Sequence, residues 1–136
     1  MITVIDGKGG GLGARIIEEL RKTYGHKIEI LALGTNSTAT NSMKKAGADQ
    51  AATGENPVVI NSKKAKLILG PIAIILPDGL MGEITPKMAE AVANSDAKKI
   101  LLPSSQCNVD IVSTSSDSNM SALVNELVEK VGKEIF

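Results

Sequence analysis

Aromatic side chains are nearly missing from this sequence, which has one Tyr, one Phe and no Trp in 136 residues. Proteins that hold single-stranded nucleic acid use such rings as stacking platforms. The 15 basic residues are matched by 15 acidic ones, so no net positive field supports binding to nucleic acid or to an anionic membrane either. Cysteine is reduced to Cys107 and histidine to His26, which excludes an internal disulfide and a zinc cluster of Cys and His. No apolar run reaches the roughly 20 residues of a membrane helix; the longest, residues 67–77, is interrupted by Gly70 and Pro71. Met1 leads straight into a β-branched apolar segment instead of a signal peptide, and a cytoplasmic location is expected.

Glycine, by contrast, is abundant and concentrated in the stretch Asp6-Gly7-Lys8-Gly9-Gly10-Gly11-Leu12-Gly13. Each glycine loses more backbone entropy on folding than any other residue, so this density has a cost that some requirement for bare backbone must offset. The common requirement is an anion: without Cβ atoms, a phosphate can approach a row of N–H groups at the positive end of the following helix. Gly7, Gly11 and Gly13 match the G-x-x-x-G-x-G spacing of short-chain dehydrogenases, and Gly9, Gly11 and Ala14 match the G-x-G-x-x-A dinucleotide fingerprint. A P-loop is excluded, because Ala14 and Arg15 follow Gly13 where Lys and Ser or Thr are needed. The competing reading is a tight strand-to-helix turn that serves packing alone.

The context around the glycines decides how much their spacing means. Residues 1–5 (M-I-T-V-I) are continuously apolar, as expected for a strand buried on both faces of a parallel sheet. Leu12, Ile16, Leu20 and Tyr24 form one stripe of a helix over residues 12–24 that Gly25 ends. Residues 28–33 make a second strand, followed by Thr35 and Asn36 at its carboxyl end, and residues 38–46 a helix closed by Gly47. Residues 58–60 have strand propensity, but only five residues would separate them from a strand at 66–69, too few for a parallel crossover. Asn56 as N-cap and Pro57 at the first helical position therefore start a helix over residues 58–62, with residues 49–52 as the third strand.

Strands at residues 66–69 and 99–102, a helix from Thr85-Pro86 to Asn94, a short sixth strand at 109–112 and a polar loop at 113–116 follow. A final helix, capped by Asp117 or Ser118, places Met120, Leu123, Val124, Leu127, Val128 and Val131 at i, i+3, i+4 spacing. The apolar run at residues 72–76 fits a pocket roof, a short helix or a contact between copies in a homo-oligomer. The alternation predicts a single α/β domain over residues 1–136, a doubly wound, mostly parallel Rossmann-like sheet of five to six strands with helices on both faces.

The blocks V-I-D-G-K-G-G-G-L-G, A-L-G-T-N at 32–36, A-T-G-E-N at 52–56, G-P-I at 70–72 and G-E-I-T-P-K-M-A at 82–89 together resemble a small bacterial family of unknown function, found mostly in clostridia and their relatives and designated DUF3842. The resemblance covers residues 1 to about 110 and implies a single Rossmann-like domain. It implies no activity and transfers no functional residue.

In such a sheet, ligands bind beyond the carboxyl ends of the strands where strand order reverses. The candidate binding residues are then Asp6, Gly7, Lys8, Gly9, Gly10, Gly11, Leu12 and Gly13 of the turn, Thr35, Asn36, Gly54, Gly70 and Pro71, with Ser104 to Cys107 at the last strand end. A small phosphate-bearing ligand is expected, NAD(P) or another nucleotide. The Asp or Glu that holds ribose hydroxyls in NAD enzymes, roughly 20 residues past the glycines, is missing here, and no Arg stands nearby for a 2′-phosphate. Asn36 contacts the ligand, or else Asn36 or Ser37 caps the next helix. Cys107 lacks a base in reach, since His26 belongs to the opposite edge of the sheet, where Tyr24 and Lys27 also fall. Asp6 and Glu83 are the carboxylates open to acid–base work, a magnesium ion or, for Asp6, a structural role at a helix N-terminus. Two functions follow: a non-catalytic or regulatory nucleotide-binding module, and a small NAD(P)-dependent oxidoreductase or other nucleotide-using enzyme completed by a second subunit.

Overall fold

The computed structural model describes residues 1–104, 107–112 and 119–136. Five strands alternate with helices: β1 (Ile2–Asp6), α1 (Gly11–Tyr24), β2 (Ile30–Gly34), α2 (Ser37–Ala46), β3 (Gln50–Thr53), α3 (Glu55–Lys64), β4 (Leu67–Pro71), α4 (Pro86–Asn94), β5 (Lys98–Leu102) and α5 (Met120–Ile135). All pairings are parallel in the order β3-β2-β1-β4-β5, with Ile2 in register with Ile30 on one side and with Leu67 on the other. This is a Rossmann-like sheet. β1 is its central strand, fully buried as its uninterrupted apolar run requires.

Alternation along the strands divides the core into two layers. Val4, Ala32 and Leu69 face Ile16, Ile17 and Leu20 of α1, Met43 of α2 and Leu127 and Val128 of α5. Ile5, Leu33 and Ile68 face Val58 of α3, Met88 and Val92 of α4, and Ile74. The Tyr24 hydroxyl donates to the Val128 carbonyl at 2.7 Å and its ring lies 5.4 Å from that of Phe136, fastening α5 to α1.

Residues 58–60 are helical, as the crossover argument requires, and Thr85 caps α4 through the Met88 amide at 3.1 Å. Three expectations are corrected. The cap of α3 is Gly54, so that Pro57 stands third in the helix, where its missing N–H is still no loss. The cap of α5 is Asn119, whose side chain accepts from the Ala122 amide at 2.8 Å; Asp117 and Ser118, like the polar loop at 113–116, lie outside the described residues. The sixth strand does not form: Asn108 turns left-handed (φ 54°), so residues 109–112 lack an extended lead-in, Val112 is 91% exposed, and the segment pairs with no strand among the described residues. The run at 72–76 is the short-helix alternative, a 3₁₀ turn at Ile72–Ile75 with Ala73 and Ile74 in the core.

Arg21 ties the amino ends of the strands together. Its guanidinium donates to the carbonyls of Gly47, Gly25 and Ile28, each at 2.9 Å, and to Asp49 Oδ2 at 2.6 Å, which also accepts from the Ile30 amide at 2.8 Å. The Ile30 amide and then the Arg21 side chain hold the Asp49 carboxyl below its ordinary value of 3.8. A lowered folded pKa adds stability above the unfolded value, lost as pH falls through the folded one. Urea unfolding of wild type and Asp49→Asn should therefore differ more at pH 6 than at pH 3; an equal difference at both would refute this account of Asp49.

Candidate functional site

The site begins where β1 runs out. Asp6 is buried, and its carboxylate accepts from two amides, Gly7 at 2.8 Å through Oδ1 and Gly13 at 2.7 Å through Oδ2. It thus staples both ends of the glycine turn and sits at the positive end of α1, the structural role open to it from sequence. Burial pushes the Asp6 carboxyl above its usual range; the Gly13 and Gly7 amides offset part of this and the charge of Glu83 adds to it.

The turn itself reverses through left-handed backbone at Lys8 (φ 51°) and Gly10 (φ 72°), closed by the Gly10 amide donating to the Gly7 carbonyl at 2.9 Å. Gly13 answers a packing need, since a Cβ there would stand 3.0 Å from Asp6 Cβ and 2.6 Å from Met43 Sδ. Gly9 and Gly11 answer neither need. Their backbones are not left-handed, and a Cβ on either would meet nothing within 4 Å among the described residues. The amides of Gly9, Gly11 and Leu12 take no acceptor among the described residues, as is usual for the first N–H groups of a helix.

These groups open into a cavity of about 300 Å³ lined by residues 6–12, Pro71 at the end of β4, Leu80, Pro103 and Ser104 after β5, and Met120 of α5. It lies where the chain order reverses between β1 and β4, the binding position of open α/β sheets. A wider groove of about 480 Å³ between α3 and α4 is lined by Lys63, Lys87, Glu90 and Asp96 among others; those are solvated side chains of the two helices and of the bend before β5, away from the strand carboxyl ends. The smaller cavity is the better candidate on chemistry.

A family model for a domain of unknown function matches residues 1–136. The chain belongs to the DUF3842 family. No curated protein and no solved structure matches it.

Not every expected residue of this DUF3842 domain reaches the cavity. Thr35 and Asn36 are tied to Glu83 instead, whose Oε1 accepts from the Thr35 hydroxyl at 2.5 Å, the Asn36 side-chain amide at 2.8 Å and the Lys8 amide at 2.8 Å. Asn36 also caps α2, accepting from the Ala39 amide at 2.9 Å, and donates to the Lys8 carbonyl at 2.9 Å. Partial burial raises the Glu83 pKa, but the donors Thr35, Lys8 and Asn36 and the Lys8 charge outweigh it and hold the carboxyl below its ordinary value. Gly54 stands apart as the α3 cap, bonded to the Gly34 carbonyl at 2.9 Å. Gly70 lies inside β4 with its backbone against Ile5 of β1, and only its neighbour Pro71 lines the cavity.

Leu80 and Met120 of the cavity wall, and the reach of Glu83 across 75 residues to Lys8, were not readable in the sequence. No spacing rule carries such a contact, because only the tertiary fold brings the segment before α4 over the end of β2. The Cys107 thiol donates to the Ser104 carbonyl at 3.1 Å, while His26 is in the 3₁₀ turn Gly25–Lys27 that precedes β2. Among the described residues no three His, Cys, Asp or Glu side chains gather in a metal-binding group, and no helix is long and apolar enough to cross a membrane.

Proposed function

We propose that this domain binds a small phosphate-bearing ligand, a nucleotide by preference, with the phosphate on the amides of Gly9, Gly11 and Leu12. The observation that carries this reading is that a Cβ on Gly9 or Gly11 would meet none of the described residues and that neither backbone is left-handed. Bare backbone at a helix N-terminus with room in front of it is what close approach of an anion demands. The cavity, at about 300 Å³, is at the lower end of small-molecule sites, which favours a mononucleotide over a complete NAD(P). Of its other lining groups, two prolines, Leu80, Met120 and Ser104 suit binding and orientation more than proton transfer, Lys8 adds a cation, and the Asp6 carboxylate is engaged by the Gly7 and Gly13 amides; this supports a regulatory module over the oxidoreductase alternative.

Thermal unfolding with AMP, ADP, ATP, NAD or NADP tests this. A ligand at a hundredfold excess over its Kd adds about 2.7 kcal/mol, an upward shift in Tm on the order of 10 °C for a domain of this size. Gly9→Val, whose Cβ meets no described protein atom within 4 Å, should keep the Tm of the free protein and lose the shift. Absence of a shift with all five nucleotides would overturn the proposal.

A further inference from the structure

The segment between the Ile72–Ile75 turn and α4 is a compact strap, residues 76–85, that lies over the end of β2. Its backbone is left-handed at Asp78 (φ 64°), Leu80 (φ 54°), Met81 (φ 59°) and Gly82 (φ 95°), conformations in which a bulky residue such as Leu or Met is strained. Short-range hydrogen bonds hold it, among them Asp78 N–H to the Ile84 carbonyl at 2.7 Å and Gly82 N–H to the Asp78 carbonyl at 2.9 Å. Its outer tip, Met81, is 89% exposed, whereas Ile84 anchors its base in the core. What fastens the strap to the glycine turn is the Glu83 carboxylate. Strained backbone persists only where surrounding contacts hold it, and here the strap's own hydrogen bonds, the buried Ile84 and the Glu83 carboxylate on the Lys8 amide hold it together.

We propose that Glu83 is an autoinhibitory latch: its carboxylate holds the strap shut over the β2 side of the crevice by occupying the Lys8 amide, the Thr35 hydroxyl and the Asn36 carboxamide, and the second phosphate of a diphosphate ligand displaces it. This rests on the glycine turn being a phosphate site.

Three observations converge on the latch. First, Glu83 Oε1 takes three donors while Oε2 takes none among the described residues, an arrangement that the equivalent oxygens of a phosphate share out better. Second, the latched oxygen lies beside the N-termini of both α1 and α2, since Lys8 belongs to the turn into α1 and Asn36 is the α2 cap; both helix ends favour any anion placed there. Third, Leu80 of the strap is also part of the cavity wall, so a strap released from its Glu83 contact carries part of the wall of the phosphate cavity with it. Gly7 accommodates the closed form: a Cβ there would stand 2.5 Å from Thr35 Oγ1 and 2.9 Å from both Glu83 Oε1 and Leu80 Cδ1.

The test uses the full chain as wild type, Glu83→Ala and the milder Thr35→Val, which keeps the carboxylate and removes one donor. Hydrogen exchange should show the amides of Lys8, Asp78, Gly82 and Ile84 protected in wild type, exchanging at least tenfold faster in Glu83→Ala and to an intermediate degree in Thr35→Val. Titration calorimetry should show inorganic pyrophosphate binding Glu83→Ala about tenfold more tightly than wild type, with orthophosphate affinity the same in both. Unchanged exchange in both variants, or pyrophosphate bound equally or more weakly by Glu83→Ala, overturns the latch and leaves the glycine turn standing as a phosphate site. Failure of every variant to bind either anion overturns the phosphate reading and the displacement with it.

Discussion

Replacing Gly10 with alanine should destabilise the domain by about 2–5 kcal/mol and lower its Tm on the order of 10 °C. Gly10 has φ 72° and ψ 14°, where an L-residue loses roughly 1–2 kcal/mol from its own backbone. The new Cβ would also stand 2.7 Å from both the Cα and the carbonyl oxygen of Ala39, well inside the ~3.5–4.0 Å of a relaxed carbon contact. These are backbone atoms of α2, so no rotamer change relieves the clash. The helix must move off the turn, which adds an overpacking cost of about 1–3 kcal/mol. Gly11→Ala is the internal control: it has open space and opens a helix, where alanine is preferred over glycine by up to ~1 kcal/mol. Urea denaturation of the two variants checks the pair. Equal stabilities would mean that the turn is not seated against α2 as described.

The second large effect belongs to Asp6. Asp6→Ala leaves the Gly7 and Gly13 amides without their acceptor in a buried setting. Hydrogen bonds to a charged group are worth ~1.5–3 kcal/mol each, and part of that is lost here to desolvation of the carboxylate; a net loss of about 2–4 kcal/mol is expected, with loosening of the glycine turn and of any anion binding there. The pH dependence of Asp6 has the opposite sign to that of Asp49. Because burial raises the folded pKa of Asp6, the folded state holds its proton more tightly than the unfolded chain. The associated stability is fully present below the unfolded value near 3.8 and is lost as pH rises through the folded pKa. Wild type should therefore lose stability relative to Asp6→Asn over that interval. Chemical denaturation from pH 3 upward measures it, and a rise of wild type relative to the variant would contradict the burial of the charge.

What could be read in the sequence was what depends on neighbours along the chain. The uninterrupted apolar run of β1, the Thr85-Pro86 start of α4 and the i, i+3, i+4 stripe of α5 are local signals, and each gives its element within two residues. The helix over Val58 was reachable through an argument from connection length, since strand propensity alone points the other way. The β-branched segment at 109–112 shows the same propensity failing without such a check, because it pairs with no strand among the described residues. In the site, the glycine turn and Pro71 were accessible because they sit at strand ends, which topology alone places together. The purpose of Asp6 could be framed but not decided, and the Glu83 contact could not be framed at all. It depends on a strap conformation with four left-handed residues, for which the sequence offers only Gly79 and Gly82 as hints.

The placement of β1 between β2 and β4 has a consequence for how the domain assembles. Ile2 pairs with Ile30 after a short excursion but with Leu67 only after the β2, β3 and α3 segments have been laid down. Loop closure over that distance makes the second pairing the slow one. Until β4 docks, the central strand carries a row of unpaired amides and carbonyls along one side, the kind of template on which another chain can add. The crevice beside the glycine turn has no second wall in that interval, so a chain caught half-built is both sticky and unable to recognise its ligand.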